Sequence, residues 1–335
     1  MKRHTMAGFL TIVALGLGVW GPALLFGAET AAFLKVSPGA RPIGMGEAFT
    51  AVADDLNALA WNPAGLAALD RKEAAFMHAE LFADTRYDFI GYGHPLGGYR
   101  SLGTVALGLS RLSQGAIQGR DENRRPSGSF QASDTAFQVA FSRRIGVSGP
   151  MLGISGKYLE SAIADVRART GAVDVGFLHS FRGGPLPLSL GVSALNVGPG
   201  MRFLDRREDL PLTLSVGAGL RLFPGVLVAV DARHRPNAAK STFGVGLEYT
   251  MVSALTLRAG YGSGLASVKG DSAGVGSSLR GLGAGLGLRL GRAQLDYSFT
   301  PAGELGNSQR ISLSMRFGAV TGAPARRLQK SAAHW

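Results

Sequence analysis

The chain has 335 residues, with 35 Lys and Arg against 23 Asp and Glu, a formal net charge of +12, no cysteine and 49 glycines, about twice the usual share of glycine. The absence of cysteine excludes a disulfide scaffold and a thiolate-ligated metal site. At 46% hydrophobic and 17% charged it is greasier than an ordinary soluble domain, yet no internal run approaches the roughly 20 apolar residues of a membrane helix.

At the N-terminus Lys2, Arg3 and His4 precede an apolar stretch from Ala7 to Ala28, and the small pair Gly27-Ala28 stands before Glu29. This pattern predicts a secretory signal peptide over residues 1–28. Residues 29–71 follow with no alternating pattern. Within them Gly44 and Gly46 permit tight backbone, Asp54 or Asp55 is placed to cap a short helix running to Trp61, and Asn62-Pro63 then stops it. Gly44-Met45-Gly46-Glu47-Ala48-Phe49 has the look of a dinucleotide fingerprint, but Phe49 replaces the third glycine and no strand-helix unit surrounds it. The segment reads instead as a compact plug.

From residue 72 to 318 the period is two. Leu212, Leu214, Val216, Ala218, Leu220 and Leu222 share one face of a segment whose other face is Thr213, Ser215, Gly217, Gly219 and Arg221. Fourteen such segments fall near 73–83, 86–95, 101–113, 132–145, 149–160, 171–183, 185–196, 211–223, 225–234, 240–251, 253–262, 277–290, 292–299 and 308–318. An even number of one-faced strands predicts an all-β fold, a closed 14-stranded antiparallel transmembrane β-barrel with apolar faces in lipid. Its lumen would then gather Lys157, Asp174, Asp231, Arg233, Glu248, Arg258, Arg289, Asp296, Arg310 and Arg316. Their mixed sign argues for packing over a sign-selective pore. Tyr158, Tyr249, Tyr261, Phe299 and Phe317 fall near strand ends on apolar faces, as interfacial girdles require.

Two connections read as long: Gln114 to Ala132, and Val197 to Leu210 with Arg202, Arg206 and Arg207. Long connections belong on the extracellular side of such a barrel, where arginines are suited to lipopolysaccharide phosphates. Gly281, Gly283, Gly285 and Gly287 share one strand face and leave room for a ligand or for the plug backbone. Residues 319–335 read as a disordered tail, leaving Phe317 or Trp335 as the assembly signal. An enzyme is not expected: His179 and Ser180 are adjacent on a strand and point to opposite faces. No metal, cofactor or nucleic-acid site is expected either, because the basic residues are scattered and not interleaved with aromatics.

The string GARPIGMGEAFTAVADDLNALAWNPAGLA resembles the N-terminal signature of the PorV/PorQ family of bacterial outer-membrane proteins. Asn62-Pro63-Ala64 resembles the corresponding motif of the broader FadL-like transporters. HAELFADTRYDFIGYGHPLG from His78, ISGKYLESAIADVRA from Ile154, LPLTLSVGAGL from Leu210 and YSFTPAGELGNSQRISLSMRFG from Tyr297 extend the resemblance over almost the whole mature chain. It implies a location in the bacterial outer membrane and a luminal N-terminal hatch, with Gly44, Gly46, Asn62, Pro63 and Ala64 as gating candidates. Two jobs are implied on this one scaffold. One is binding or passing a hydrophobic small molecule, which leaves sideways through the wall. The other is holding cargo or partner proteins of a type IX-like secretion system.

Overall fold

The computed structural model describes residues 31–81, 84–97, 102–120, 125–181, 186–203, 206–266, 280–301 and 307–320. The expected signal peptide and nearly all of the expected tail, Trp335 included, lie outside the described residues. The strands are β1 (Lys72–Glu80), β2 (Thr85–Leu96), β3 (Gly103–Arg120), β4 (Pro126–Arg144), β5 (Met151–Ile163), β6 (Val166–Phe181), β7 (Leu188–Val197) and β8 (Met201–Phe203). They continue with β9 (Arg206–Glu208), β10 (Thr213–Phe223), β11 (Val226–Arg235), β12 (Lys240–Val252), β13 (Leu255–Gly262), β14 (Leu282–Leu290), β15 (Ala293–Pro301) and β16 (Asn307–Phe317).

All but β8 and β9 form one closed antiparallel barrel of fourteen strands, each paired with its barrel neighbour in sequence. The ring closes between β1 and β16, with Lys72 opposite Phe317 and Glu80 opposite Gln309. Each of the fourteen segments with period-two alternation is a barrel strand. Closure follows from the pattern, since one-faced strands that leave no free edge satisfy every ladder hydrogen bond internally.

The apolar faces point outward. Val216 is 53% exposed, Leu313 50% and Tyr158 49%, whereas Thr213, Ser215, Asp231 and Arg310 are buried on the other side of the wall. No helix among the described residues is long and apolar enough to cross a membrane.

The two ends of the barrel differ. At the end carrying Lys72 and Phe317, turns such as Pro224-Gly225 and Gly291-Arg292 are tight. At the opposite end lie the 198–212 connection and the turn Ser263–Ala266 that follows β13. The Gln114–Ala132 region, expected as a loop, is largely strand: β3 and β4 continue pairing through Ile117↔Phe130 and Gln118↔Ser129, with two register shifts. A strand rising clear of the barrel rim has no apolar face to reveal it, and Ser113, Gln114, Gly115 and Ala116 alternate in nothing. The 198–212 connection likewise contains the small β8–β9 hairpin, Met201 opposite Glu208.

The core is inside the barrel. Phe49, Leu56, Leu59, Trp61 and Leu66 pack against Met77, Tyr87, Phe89 and Leu227 of the wall. Phe33 adds a second cluster against Ala136, Leu159, Ala168, Met201 and Leu210. Each large side chain so buried contributes about 1.5–3 kcal/mol. The non-alternating segment therefore supplies the apolar filling that the polar inner face lacks.

Candidate functional site

The luminal segment, residues 31–69, is built from single turns. A helical turn at Ala40–Gly44 ends in Gly46, whose φ of +59° is left-handed, and Glu47 follows at +66°. A side chain at Gly46 would stand 2.3 Å from the Tyr261 nitrogen of β13, so only glycine suits both the backbone angle and the approach. Glu47, a non-glycine residue in the same region, is held by its N–H to Pro42 O at 2.9 Å and by Arg233 Nη2 donating to its carbonyl at 2.9 Å. A second turn runs Ala58–Trp61. Its N-terminal neighbour is Asn57 with no side-chain cap; Asp55, one of the two expected caps, accepts from Asn57 N at 2.9 Å just outside it. As expected, Asn62 then turns extended before Pro63 and ends the helix.

Asn62 is fully buried. Its Nδ2 donates to Thr50 O at 2.9 Å and to Phe177 O of β6 at 3.0 Å, while its Oδ1 accepts from Ala64 N at 3.1 Å. It thus joins two parts of the segment to each other and to the wall. Wall side chains bind the segment's backbone in turn: Ser142 Oγ donates to Ala64 O at 2.9 Å, Ser193 Oγ to Trp61 O at 3.0 Å and Gln138 Nε2 to Leu59 O at 2.7 Å.

The glycine face of β14 serves the same packing. A Cβ on Gly283 would lie 2.3 Å from Ile43 O, and one on Gly285 3.2 Å from the Gly44 Cα. Gly281 precedes the strand and accepts from Gly262 N at 2.8 Å. The space left by the absent side chains is filled by segment backbone at Gly283 and Gly285, and at Gly287 by the Asp296 and Arg258 side chains.

The luminal charges separate into groups that sequence could not pair. Arg41 is the hub of the first. Its Nε and Nη2 grip Glu248 at 2.8 and 3.1 Å, and its Nη1 meets Asp54 and, at 2.9 Å, Asp55. Arg258 donates to the same Glu248 and to Asp296, both at 2.7 Å. Burial disfavours the charged Arg41, but Asp54, Glu248 and Asp55 more than offset this and hold its pKa well above the ordinary value. Burial pushes the Asp55 carboxyl upward, against the pull of Arg41.

In the second group Asp231 Oδ2 accepts from Phe49 N and Thr50 N at 2.9 and 2.8 Å, and Arg233 pairs with Glu47 at 3.1 Å while lying 4.8 Å over the Trp61 ring. In the third, Asp174 receives Lys157 at 2.8 Å, Ser155 at 2.9 Å and Gln138 at 3.0 Å. Its other oxygen accepts from Asn196 N at 2.8 Å, where β7 bulges and Asn196 takes a φ of +62°. The bulge has a side-chain carboxylate in place of a ladder partner. Arg310 is buried without a hydrogen bond or ion pair among the described residues.

Arg289 departs from expectation. It is exposed near the end of β14, where it lines the mouth of the polar space that also holds Glu248, Arg258 and Asp296, and its hydrogen bond there is to Gln294 at 3.3 Å, not to a carboxylate of the buried network. Arg41, Asp54 and Glu47 were not marked as site residues by sequence reasoning. An arginine in a segment otherwise apolar and small, GARPIG, was the available signal.

On the outer wall a recess of about 550 Å³ crosses β6, β7, β10, β11 and β12. Val175, Phe177, Val192, Leu214 and Val216 rim it, with Ala194 and Ala232 in between. Its wall includes Phe177, whose carbonyl Asn62 holds from inside.

His179 and Ser180 do lie on opposite sides of β6: His179 packs edge-on against Phe181 at 4.3 Å, and Ser180 Oγ lies 3.1 Å from Ser189 Oγ. No group of three or more His, Cys, Asp or Glu suited to a metal occurs among the described residues.

This geometry has solved counterparts. The Ralstonia pickettii toluene transporter TbuX superposes with a TM-score of 0.58 at 13% identity, over 84% of this chain and 99% of that one. Two forms of the TodX monoaromatic hydrocarbon channel, the deltaS2S3 and deltaS2 mutants, give TM-scores of 0.54 and 0.51 at 12% and 14% identity, with the same coverage. The chain shares the fold of these channels. Residues 26–108, which take in the luminal segment and the first strands, match the model of an uncharacterised protein family, UPF0164. No functionally curated protein matches the sequence.

Proposed function

We propose that this chain is a bacterial outer-membrane barrel that binds and passes a small hydrophobic molecule, with residues 31–69 as the hatch and the outer recess as the lateral exit. The observation that carries the reading is the placement of Asn62. One hydrogen bond from the middle of the luminal segment ends on Phe177 O, at the wall of the largest apolar recess described on the outer face. A shift of the segment would release that strand carbonyl and alter the wall where an apolar molecule would leave for lipid. The shared fold with the toluene transporter and the monoaromatic hydrocarbon channels supports the same class of cargo. The reading is non-enzymatic.

The test is native mass spectrometry of the protein extracted from outer membrane in mild detergent, with toluene added as probe. The expected result is an apolar molecule retained by the native chain and lost in Asn62→Ala that still migrates as a folded barrel. An empty lumen with stoichiometric co-purifying chains would overturn uptake in favour of the secretion role that the PorV/PorQ resemblance implies.

A further inference from the structure

At the mouth of the lumen, on the end that carries Lys72 and Phe317, four arginines surround one recess of about 190 Å³. They are Arg71, just before β1; Arg289, at the end of β14; Arg292, in the turn to β15; and Arg316, on β16. Chain sections far apart in sequence bring them together. The closing pair sets Glu73 opposite Arg316, the β14–β15 hairpin sets Arg289 opposite Gln294, and Arg316 N donates to Arg292 O at 2.9 Å.

Their charge is poorly compensated. Arg316 Nε holds Glu73 at 2.8 Å, Arg71 stands 4.0 Å from the exposed Asp70, and Arg289 has only the neutral Gln294. The Arg292 side chain has no hydrogen bond or ion pair among the described residues. Glu73, Asp54 and Asp55 act on Arg316 from the luminal side and Asp70 stands beside Arg71, but Arg289 and Arg292 have no carboxylate within ion-pair distance among the described residues, and like charges so close repel unless an anion joins them. Guanidinium forks match the oxygens of phosphate two at a time, which a lysine ammonium does not.

We infer that this recess is a binding site for a phosphate group carrying two negative charges. It rests on the rim arginines and not on what the lumen passes. Two sources have this chemistry: free phosphate, and the headgroup of a phospholipid whose chains run along the outward-facing Leu290 and Met315, 70% and 52% exposed.

The experiment is calorimetric titration of the full chain in maltoside detergent with dihexanoyl phosphatidic acid and, separately, inorganic phosphate. Saturable binding is expected, weakened at least tenfold in R71Q/R292Q and in part restored by Arg292→Lys with Arg71 intact. Lipid binding at least tenfold tighter than inorganic phosphate assigns the headgroup; comparable binding assigns the free anion. No saturable binding of either probe to the native chain would overturn the inference. So would R71Q/R292Q binding as the native chain does while remaining a heat-modifiable barrel; if that pair does not fold, Arg292→Gln alone decides. Toluene retention is read on the same samples, so a failure here is distinguishable from a failure of the uptake reading.

Discussion

Asn62 uses both its amide hydrogens and its carbonyl oxygen, and all of its partners are backbone. Replacing it with Ala orphans the Thr50 carbonyl and the Ala64 N–H inside the barrel, each worth about 1–3 kcal/mol when left unsatisfied, and removes the tie to Phe177 O of the wall. Asn62→Ala is therefore expected to lower the denaturant midpoint of the purified barrel. Asn62→Asp should do the same, since a carboxylate keeps the acceptor but loses both donors. Arg41 is the second residue of this kind. Arg41→Met removes the only ion-pair partner of Asp54 and Asp55 among the described residues and half of the pairing of Glu248. Breaking a buried pair in this way costs about 3–5 kcal/mol. An equilibrium unfolding midpoint unchanged from the native chain would show that Arg41 does not anchor the segment.

At the scale of elements, the wall and the luminal segment fit because selected wall positions carry no side chain. Gly260 on β13 is the sharpest case: a Cβ there would come within 2.3 Å of Gly46 N and the Met45 carbonyl carbon. Gly156 on β5 faces outward and meets nothing within 4 Å. Gly260→Ala is expected to destabilise the segment's seat by about 1–3 kcal/mol through overpacking, and Gly156→Ala to change stability by less than about 0.5 kcal/mol. Paired thermal melts of the two variants test this. Equal effects would mean that strand propensity, and not the luminal contact, decides. The glycine row of β14 was visible in the sequence, but its occupant was not, because the contact joins Ile43 to Gly283 across most of the chain's length.

For the whole molecule, the barrel is filled from within. Residues 31–69 occupy the lumen with an apolar cluster and three sets of buried charge, leaving small polar spaces, one of about 230 Å³ around Arg41, Asp55 and Glu73. Removing residues 31–69 is expected to turn a non-conducting barrel into an open pore with steady current in planar bilayers. A deletion variant that folds and still fails to conduct would show that the strands collapse on themselves without the segment. The mixed sign of the exposed inner wall predicts weak selectivity between small cations and anions in that pore.

Strand number, the orientation of each apolar face and the break in pattern before residue 72 were determined by sequence alone, because period-two alternation is local and the contrast between lipid and lumen is imposed on every strand. Helix termination at Asn62-Pro63 was legible for the same reason: the restriction that proline places on its predecessor acts between neighbours. Only tertiary structure decided how far β3 and β4 extend, which luminal charges pair, that Arg41 is their hub, that Arg289 sits at the rim, and that four arginines from three separate chain sections share one recess. These depend on strand register and on where a non-alternating segment seats itself, and a one-residue slip would invert every face. Such contacts join residues up to 272 positions apart, as Ala40 N and Ser312 Oγ do, and no local pattern encodes them.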